Sequence, residues 1–167
     1  MSSILRGSCY CGSVAFSVNS APAVSAYCHC TICQRLFCKT FLPFCIQRPL
    51  TILLSEACPF VHTLHFPASA FSWTHPEPRL DSYIPAEKPH KTRWRCKDCG
   101  SHLSSYNSKT GRWSVWACVL ERDEQGHIKN WDIIKPSCHM FYGTKVIEVN
   151  DGLGKWEGYE NKSKRIA

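Results

Sequence analysis

The chain has 167 residues, 44% of them hydrophobic and 20% charged, which is the composition of a globular protein that can bury the core of one domain. No stretch approaches the length of a membrane span, so a membrane partner is not expected. The formal charge of +7 overstates the basicity if thiolates bind metal ions, and the milder surplus that then remains suits an anionic small molecule and does not require nucleic acid.

The sequence is predicted to be mainly β. Alternating or β-branched segments predict short strands, in chain order, at 14–18, 51–54, 62–66, 91–95, 102–106, 112–120 and 145–149. The one local helix candidate covers residues 32–37. Residues 107–111 and 123–126 have the composition of hairpin loops.

The proline distribution suggests how the domain is organised. Five of the ten prolines lie between residues 67 and 89, which predicts a long loop inserted between two strands. Such a loop is either a loosely ordered insert or a functional lid. We therefore expect one domain over residues 1–160 with an insert near 67–90, followed by a polar, basic and frayed tail over 161–167.

Twelve cysteines would permit a secreted disulfide scaffold, but residues 1–11 lack the apolar core of a signal peptide. We expect the chain in the cytoplasm, with the nucleus as the alternative. Thiols stay reduced there, so clustered cysteines are more often metal ligands than disulfide partners. Seven cysteines fall in three clusters with one or two residues between neighbours: Cys9 and Cys11; Cys28, Cys30 and Cys33; Cys96 and Cys99.

This spacing suits zinc, which takes four protein ligands in a structural site and three in a catalytic one. Cys96 and Cys99, followed by Gly100, have the form of a zinc knuckle. Cys9 and Cys11 would project from the same face of an extended segment and complete a closed structural site. With two Zn²⁺ ions bound to seven thiolates, the net charge would be roughly +4.

Cys28, Cys30 and Cys33 remain for a second site, and three ligands leave the fourth position of zinc open for water or a substrate thiolate. The alternative is a second closed site, whose fourth ligand would be Cys38, His29 or His139. Spacing alone does not separate these two arrangements.

Five segments resemble the glutathione-dependent formaldehyde-activating enzyme family, which includes centromere protein V-like proteins. They cover 7–12, 28–35, 95–103, 139–145 and 151–156, and the last is most similar to fungal members. The resemblance implies an Mss4-like fold of small packed antiparallel sheets with zinc knuckles. It also implies a structural zinc on the first and third clusters and a catalytic zinc on Cys28, Cys30 and Cys33.

The family's reaction joins glutathione and formaldehyde to S-(hydroxymethyl)glutathione and is grouped with the carbon–sulfur lyases. The resemblance thus implies two Zn²⁺ ions and glutathione, or a glutathione conjugate, as cosubstrate. In this chain Gln34, Arg35, Leu36, Phe37 and Cys38 stand where the family usually has a basic residue and then Ser-Gly. These bulkier residues predict a substrate larger than the formaldehyde adduct.

Other residues are candidates for contacting the substrate. His139 lies in a matching segment and is a candidate pocket acid or base, while His29 is expected to be a core or supporting residue. Arg35, Lys39 and Arg93 are candidates for binding glutathione carboxylates, although isolated basic residues are more often solvated surface.

The sequence therefore predicts a zinc-dependent carbon–sulfur lyase or synthase acting on thiol adducts. The alternative is a zinc-stabilised binding module for protein or chromatin, which needs no open coordination position. Homo-oligomerisation is left open.

Overall fold

The computed structural model describes residues 4–37, 58–75 and 79–167. The chain falls into two compact units, one formed by Met1–Ala26 and His62–Pro136 and the other by Tyr27–Val61 and Ser137–Ala167. The strands are β1 (Leu5–Ser8), β2 (Ala15–Val18), β3 (Val24–Cys28), β4 (Val61–Pro67), β5 (Phe71–Trp73), β6 (Leu80–Tyr83), β7 (Lys91–Cys96), β8 (His102–Asn107), β9 (Arg112–Trp116), β10 (Cys138–Met140) and β11 (Gly154–Lys155). The helices are α1 (Thr31–Phe37) and α2 (Trp131–Ile134). The prediction of a mainly β chain is confirmed.

In the first unit, β1, β2 and β5 form an antiparallel sheet with β2 in the centre. Phe16 and Val18 of β2 are buried, as the predicted alternation over 14–18 requires. Gly7 of β1 lies opposite Phe16, and a Cβ atom there would meet the Phe16 ring and lie 2.7 Å from the carbonyl oxygen of Val119. Only glycine fits this close approach.

The other sheet of the first unit contains strands in the order β4-β9-β8-β7-β6, all antiparallel to their neighbours. The predictions at 62–66, 91–95 and 102–106 are confirmed by β4, β7 and β8. The predicted strand 112–120 ends early, because Ala117–Val119 form a 3-10 turn.

The segment predicted as a long proline-rich loop contains secondary structure, so that prediction is wrong for its described residues. Ala68–Ala70 form a 3-10 turn, β5 pairs with β2, and β6 pairs with β7. Phe71 stacks on Trp113 with ring centroids 4.1 Å apart, and Trp73 packs edge-on against both rings. Strands of three or four residues are too short for a clear periodic pattern, which explains the error.

In the second unit, α1 confirms the predicted helix at 32–37, and β10 pairs in parallel with β11. The strand predicted at 145–149 is absent from this described segment. Val146 and Ile147 are instead exposed, and the Val149 amide donates to the phenol oxygen of Tyr142 at 2.9 Å rather than to a strand. The strand predicted at 51–54 lies outside the described residues.

The end of the chain is not frayed, contrary to the prediction. The amide of Ile166 donates to the carbonyl oxygen of Lys155 at 2.7 Å, and the Lys155 amide donates to Ala167 at 2.8 Å. Trp156 and Arg165 form an antiparallel bridge. These backbone bonds fix the tail along β11. Among the helices of the described segments, none has the length and apolar character needed to cross a bilayer.

Candidate metal centres

The first unit contains a cluster of four thiols. The sulfur atoms of Cys9, Cys11, Cys96 and Cys99 all lie within 4.8 Å of one another. Cys9 and Cys11 occupy the turn between β1 and β2, where the amide of Gly12 donates to the carbonyl of Cys9 at 3.1 Å. The predicted extended segment is therefore wrong, because a turn, with Gly12 at φ +78°, directs both sulfur atoms toward one point.

The second pair of thiols lies in the turn between β7 and β8. The amide of Gly100 donates to the carbonyl of Cys96 at 2.9 Å, and Gly100 has a positive φ of 67°. This is the compact knuckle expected from the sequence, with the glycine in the left-handed region that a side chain would strain.

The geometry of this cluster fits a tetrahedral zinc site. With Zn–S distances of about 2.3 Å, tetrahedral sulfurs lie about 3.8 Å apart. The sulfur of Cys11 lies 3.5 Å from that of Cys9 and 3.8 Å from that of Cys96. Backbone amides of Val14 and Asp98 donate to the sulfurs of Cys9 and Cys96 at 3.3 and 3.4 Å. Such bonds are typical of the supporting shell of thiolate ligands.

Two serines that the sequence analysis did not identify also support the cluster. The Ser13 hydroxyl lies 3.1 Å from the sulfur of Cys11, and the Ser101 hydroxyl lies 3.1 Å from that of Cys99. Their nearness to the cysteines in sequence is the signal that could have identified them.

The four thiols differ in how readily they ionise without a cation. Burial raises the pKa of Cys9 to about 11. Burial also opposes ionisation of Cys99, but hydrogen bonds from Ser101 and from backbone amides outweigh it and lower the pKa to about 6. A divalent cation favours the thiolate of every ligand, so it would bring all four into one charge state.

The second unit contains a cluster of three thiols, which we call the tripod. Cys28 ends β3, Cys30 precedes α1, and Cys33 lies in the first turn of α1. Their sulfur atoms lie within 4.8 Å of one another, with Cys28 and Cys33 buried and Cys30 half-buried. The amide of Cys33 donates to the Cys30 sulfur at 3.4 Å, so the helix start holds this thiol as a capping side chain would.

Cys30 and Cys33 impede the ionisation of Cys28. Hydrogen bonds to Cys30 and Cys33, followed by burial, raise the pKa of Cys28 well above its usual value. Three crowded thiolates need a compensating cation, and sulfur ligands suit zinc. The residues present therefore fit a metal ion here as well.

No fourth Cys, His, Asp or Glu from the described ranges 4–37, 58–75 and 79–167 joins the tripod. His29 and His139 were two of the three alternative ligands, and neither belongs to this group. Cys38, the third, lies outside the described residues.

His29 and His139 instead form a buried chain with Asp151. The Nε2 atom of His29 lies 2.8 Å from Nδ1 of His139, and Nε2 of His139 lies 2.9 Å from an Asp151 carboxylate oxygen. Both rings are fully buried, while the Asp151 side chain is 32% exposed. We call this arrangement the His–His–Asp chain.

The bonds of this chain define one self-consistent set of tautomers. Burial opposes ionisation of Asp151, but the hydrogen bond from His139 prevails and lowers its pKa, so the carboxylate accepts. Nε2 of His139 then carries the proton and its Nδ1 accepts from Nε2 of His29. Burial lowers the pKa of His29 to about 4, so its ring is neutral and its Nδ1 is a bare acceptor. That atom is buried and has no hydrogen-bond partner within the described part of the chain.

The backbone of His29 is held as firmly as its ring. Its amide donates to the carbonyl of Met140 at 3.0 Å. Its carbonyl accepts from Nε2 of Gln34 at 2.8 Å and from the Thr144 hydroxyl at 2.9 Å. Since His29 lies between two tripod ligands, these bonds fix the segment that carries them.

The residues predicted to bind carboxylates do not share one environment. Arg35 is exposed on α1 in the second unit, whereas Arg93 is only 5% exposed on β7 in the first unit. Lys39 lies outside the described residues, as do Cys38 and the side chains of Leu36 and Phe37.

Comparison with known proteins gives one family match. Residues 4–51 match the family model described as glutathione-dependent formaldehyde-activating enzyme. A crystal structure of a Rhodobacter sphaeroides protein is similar to this chain at 18% sequence identity with a TM-score of 0.47, over 74% of this chain and 96% of that chain. No curated protein matches the chain.

Metal content is the first quantity that tests both centres. We expect about two zinc ions per chain in protein purified without chelators, because the two clusters supply four and three thiols. Elemental analysis together with protein quantification measures this ratio. A ratio near one would contradict the two-site arrangement.

Proposed function

We propose that this chain, whose residues 4–51 match the model of the glutathione-dependent formaldehyde-activating enzyme family, is a zinc-dependent carbon–sulfur lyase or synthase acting on glutathione or a related thiol adduct. The observation that supports this proposal is the tripod, whose three clustered thiols have no fourth protein ligand among the described residues. A site of this kind leaves a coordination position for substrate.

The tripod cysteines Cys28, Cys30 and Cys33 would hold the zinc. A zinc ion bound there would lower the pKa of a substrate thiol and keep its sulfur ionised at neutral pH. In the synthetic direction the substrate sulfur attacks the carbonyl carbon of an aldehyde, a C–S bond forms, and the carbonyl oxygen takes up the proton lost by the thiol. The reverse reaction breaks the same bond and releases thiol and aldehyde.

His139 was predicted as a pocket acid or base, and we now propose a different role for it. Its ring is fully buried, and both nitrogens already bond to His29 and Asp151. It therefore serves as a positioning residue that acts through His29 on the segment bearing Cys28 and Cys30. Supporting residues of this kind commonly decide how well metal ligands are oriented.

We expect Asp151→Asn to lower turnover or zinc affinity at the tripod by about 10- to 100-fold, because loss of the carboxylate removes the fixed tautomers of the His–His–Asp chain. Asp132→Asn is the control, since Asp132 is an exposed acid of α2 that forms an ion pair with Lys135, the residue just after the helix. Cobalt binding is followed by absorption, and subtracting the spectrum of Cys30→Ser, which keeps the four-thiol cluster, isolates the contribution of the tripod.

Partial recovery of turnover or zinc affinity in Asp151→Glu would separate positioning from simple packing. Glutamate restores a carboxylate that can accept from His139, but its side chain is longer and does not reproduce the packing of aspartate. If Asp151→Asn left turnover, metal affinity and the cobalt spectrum unchanged, the positioning role would be wrong.

The proposed function is tested by measuring the interconversion of glutathione, formaldehyde and S-(hydroxymethyl)glutathione by NMR exchange spectroscopy. Zinc-loaded protein should accelerate exchange above the uncatalysed rate, and larger glutathione–aldehyde adducts should be assayed beside it. Exchange with none of these adducts, together with no binding of glutathione to the cobalt-substituted tripod, would contradict the enzyme and favour a binding module.

A further inference from the structure

A row of polar residues crosses the five-stranded sheet of the first unit. Strand register aligns five of them on one face, in the order Tyr83, Arg93, Ser105, Ser114 and His65. Neighbours directly opposite each other on paired strands project from the same side of a sheet. This polar row is unusual, because its three central members are also buried, with exposures of 5%, 3% and 8% for Arg93, Ser105 and Ser114.

Arg93 is the charged member among the buried residues of this row, and it has no anionic partner among the described residues. Within the described ranges no carboxylate forms an ion pair with its guanidinium, and its Nε atom is buried without a hydrogen-bond acceptor. Its guanidinium carbon lies 5.7 Å from the centroid of the Trp116 ring, the one contact of its charge that the described residues supply. A cation–π contact replaces only part of the hydration that a buried guanidinium loses.

The surroundings of the row add positive charge. His65, at the other end of the row, is subject to Coulombic repulsion from Lys91 and Arg112, and burial with these two cations lowers its pKa to about 4. The face therefore presents cations and hydroxyl donors together, which is the composition of an anion site.

We propose that Arg93, with the hydroxyls of Ser105 and Ser114 beside it, binds a carboxylate group of a small-molecule ligand. The planar guanidinium offers paired N–H donors that match the two oxygens of a carboxylate. Serine hydroxyls can donate to the same oxygens, and Trp116 provides an apolar wall.

The carboxylate belongs either to a glutathione-like peptide bound at this face or to a separate small acid. Only the first of these sources rests on the proposed function. S-methylglutathione distinguishes them, because it carries both carboxylates of glutathione but has no free thiol for the tripod. Acetate supplies the carboxylate alone.

The test measures thermal unfolding of the zinc-loaded protein with S-methylglutathione or sodium acetate, against sodium chloride at equal ionic strength. A ligand that binds only the folded protein raises its melting temperature, and the stabilisation grows with the logarithm of ligand concentration over Kd. Arg93→Met should weaken this apparent affinity by about tenfold or more, because it removes the charged donors while keeping side-chain volume. Arg95→Met is the matched control, since Arg95 lies two residues along the same strand, exposed and paired with Asp81.

The melting temperature of ligand-free Arg93→Met is a second test. Replacing an unpaired buried charge by an apolar side chain of similar size is neutral or stabilising, so ligand-free Arg93→Met should melt at or above the wild-type temperature. If Arg93 were instead paired with Glu56 or Glu77, which lie outside the described residues, Arg93→Met would be destabilised, as would Glu56→Gln or Glu77→Gln.

Stabilisation by S-methylglutathione that disappears in Arg93→Met would support the proposal with the tripeptide as source. The same dependence with acetate alone would support it with a separate acid. Absence of any Arg93-dependent stabilisation, or destabilisation shared by Arg93→Met and either glutamate variant, would overturn it. Turnover of thiol adducts does not enter this measurement, so failure here and failure of the proposed function can be told apart.

Discussion

Cys96→Ser is expected to abolish cooperative folding of the protein. Cys96 is 1% exposed and belongs to the four-thiol cluster of the first unit. Structural zinc sites contribute about 10–16 kcal/mol of apparent binding free energy, whereas whole domains are stable by only about 5–15 kcal/mol. Weakening this site therefore removes most or all of the free energy of unfolding.

Circular dichroism during heating, with zinc content measured on the same sample, checks this expectation. Cys118→Ser is the control, because Cys118 is an exposed cysteine outside both clusters and should melt within a few degrees of the wild type. A Cys96→Ser protein that melts as cooperatively and at the same temperature as this control would show that the first cluster is not structural.

Cys30→Ser should have the opposite profile, with a folded protein that turns over thiol adducts at least about 100-fold more slowly. Loss of a tripod ligand should cost no less than the 10- to 100-fold that supporting residues cost. The fold should survive because serine at this position can accept the amide of Cys33, as the Cys30 sulfur does, and serine is a favoured helix cap.

Turnover, melting temperature and zinc content should be measured together for Cys30→Ser and Cys96→Ser. We expect about one zinc per chain in Cys30→Ser, held by the four-thiol cluster. If both variants unfolded alike, the two clusters would not divide structural and catalytic roles as proposed.

Spacing along the chain predicted correctly which cysteines come together, because each pair or triplet lies within a few residues. The zinc knuckle at Cys96 and Cys99 is a tight turn closed by Gly100, which leaves the backbone few conformations, so its geometry was predictable as well. The exception was the turn at Cys9 and Cys11, where Gly12 allows a backbone reversal that an alternating pattern does not show.

The His–His–Asp chain could not be predicted in this way. Its first bond joins residues 110 positions apart, and no local pattern records which distant segments meet. Asp151 lies in a segment that resembles the family, yet its role becomes visible only when Nε2 of His139 lies 2.9 Å away. The same limit explains the polar row around Arg93, which exists only through the register of five strands.

The two clusters also differ in when they can form. All three tripod ligands lie within six residues, so a nascent chain emerging from the ribosome presents them together early in synthesis. The four-thiol cluster must wait for Cys96 and Cys99, and its closure carries the entropic cost of a long loop. During translation the tripod can therefore take up metal while the four-thiol cluster is still incomplete, and the order of metal loading follows the order in which the two sets of ligands are completed.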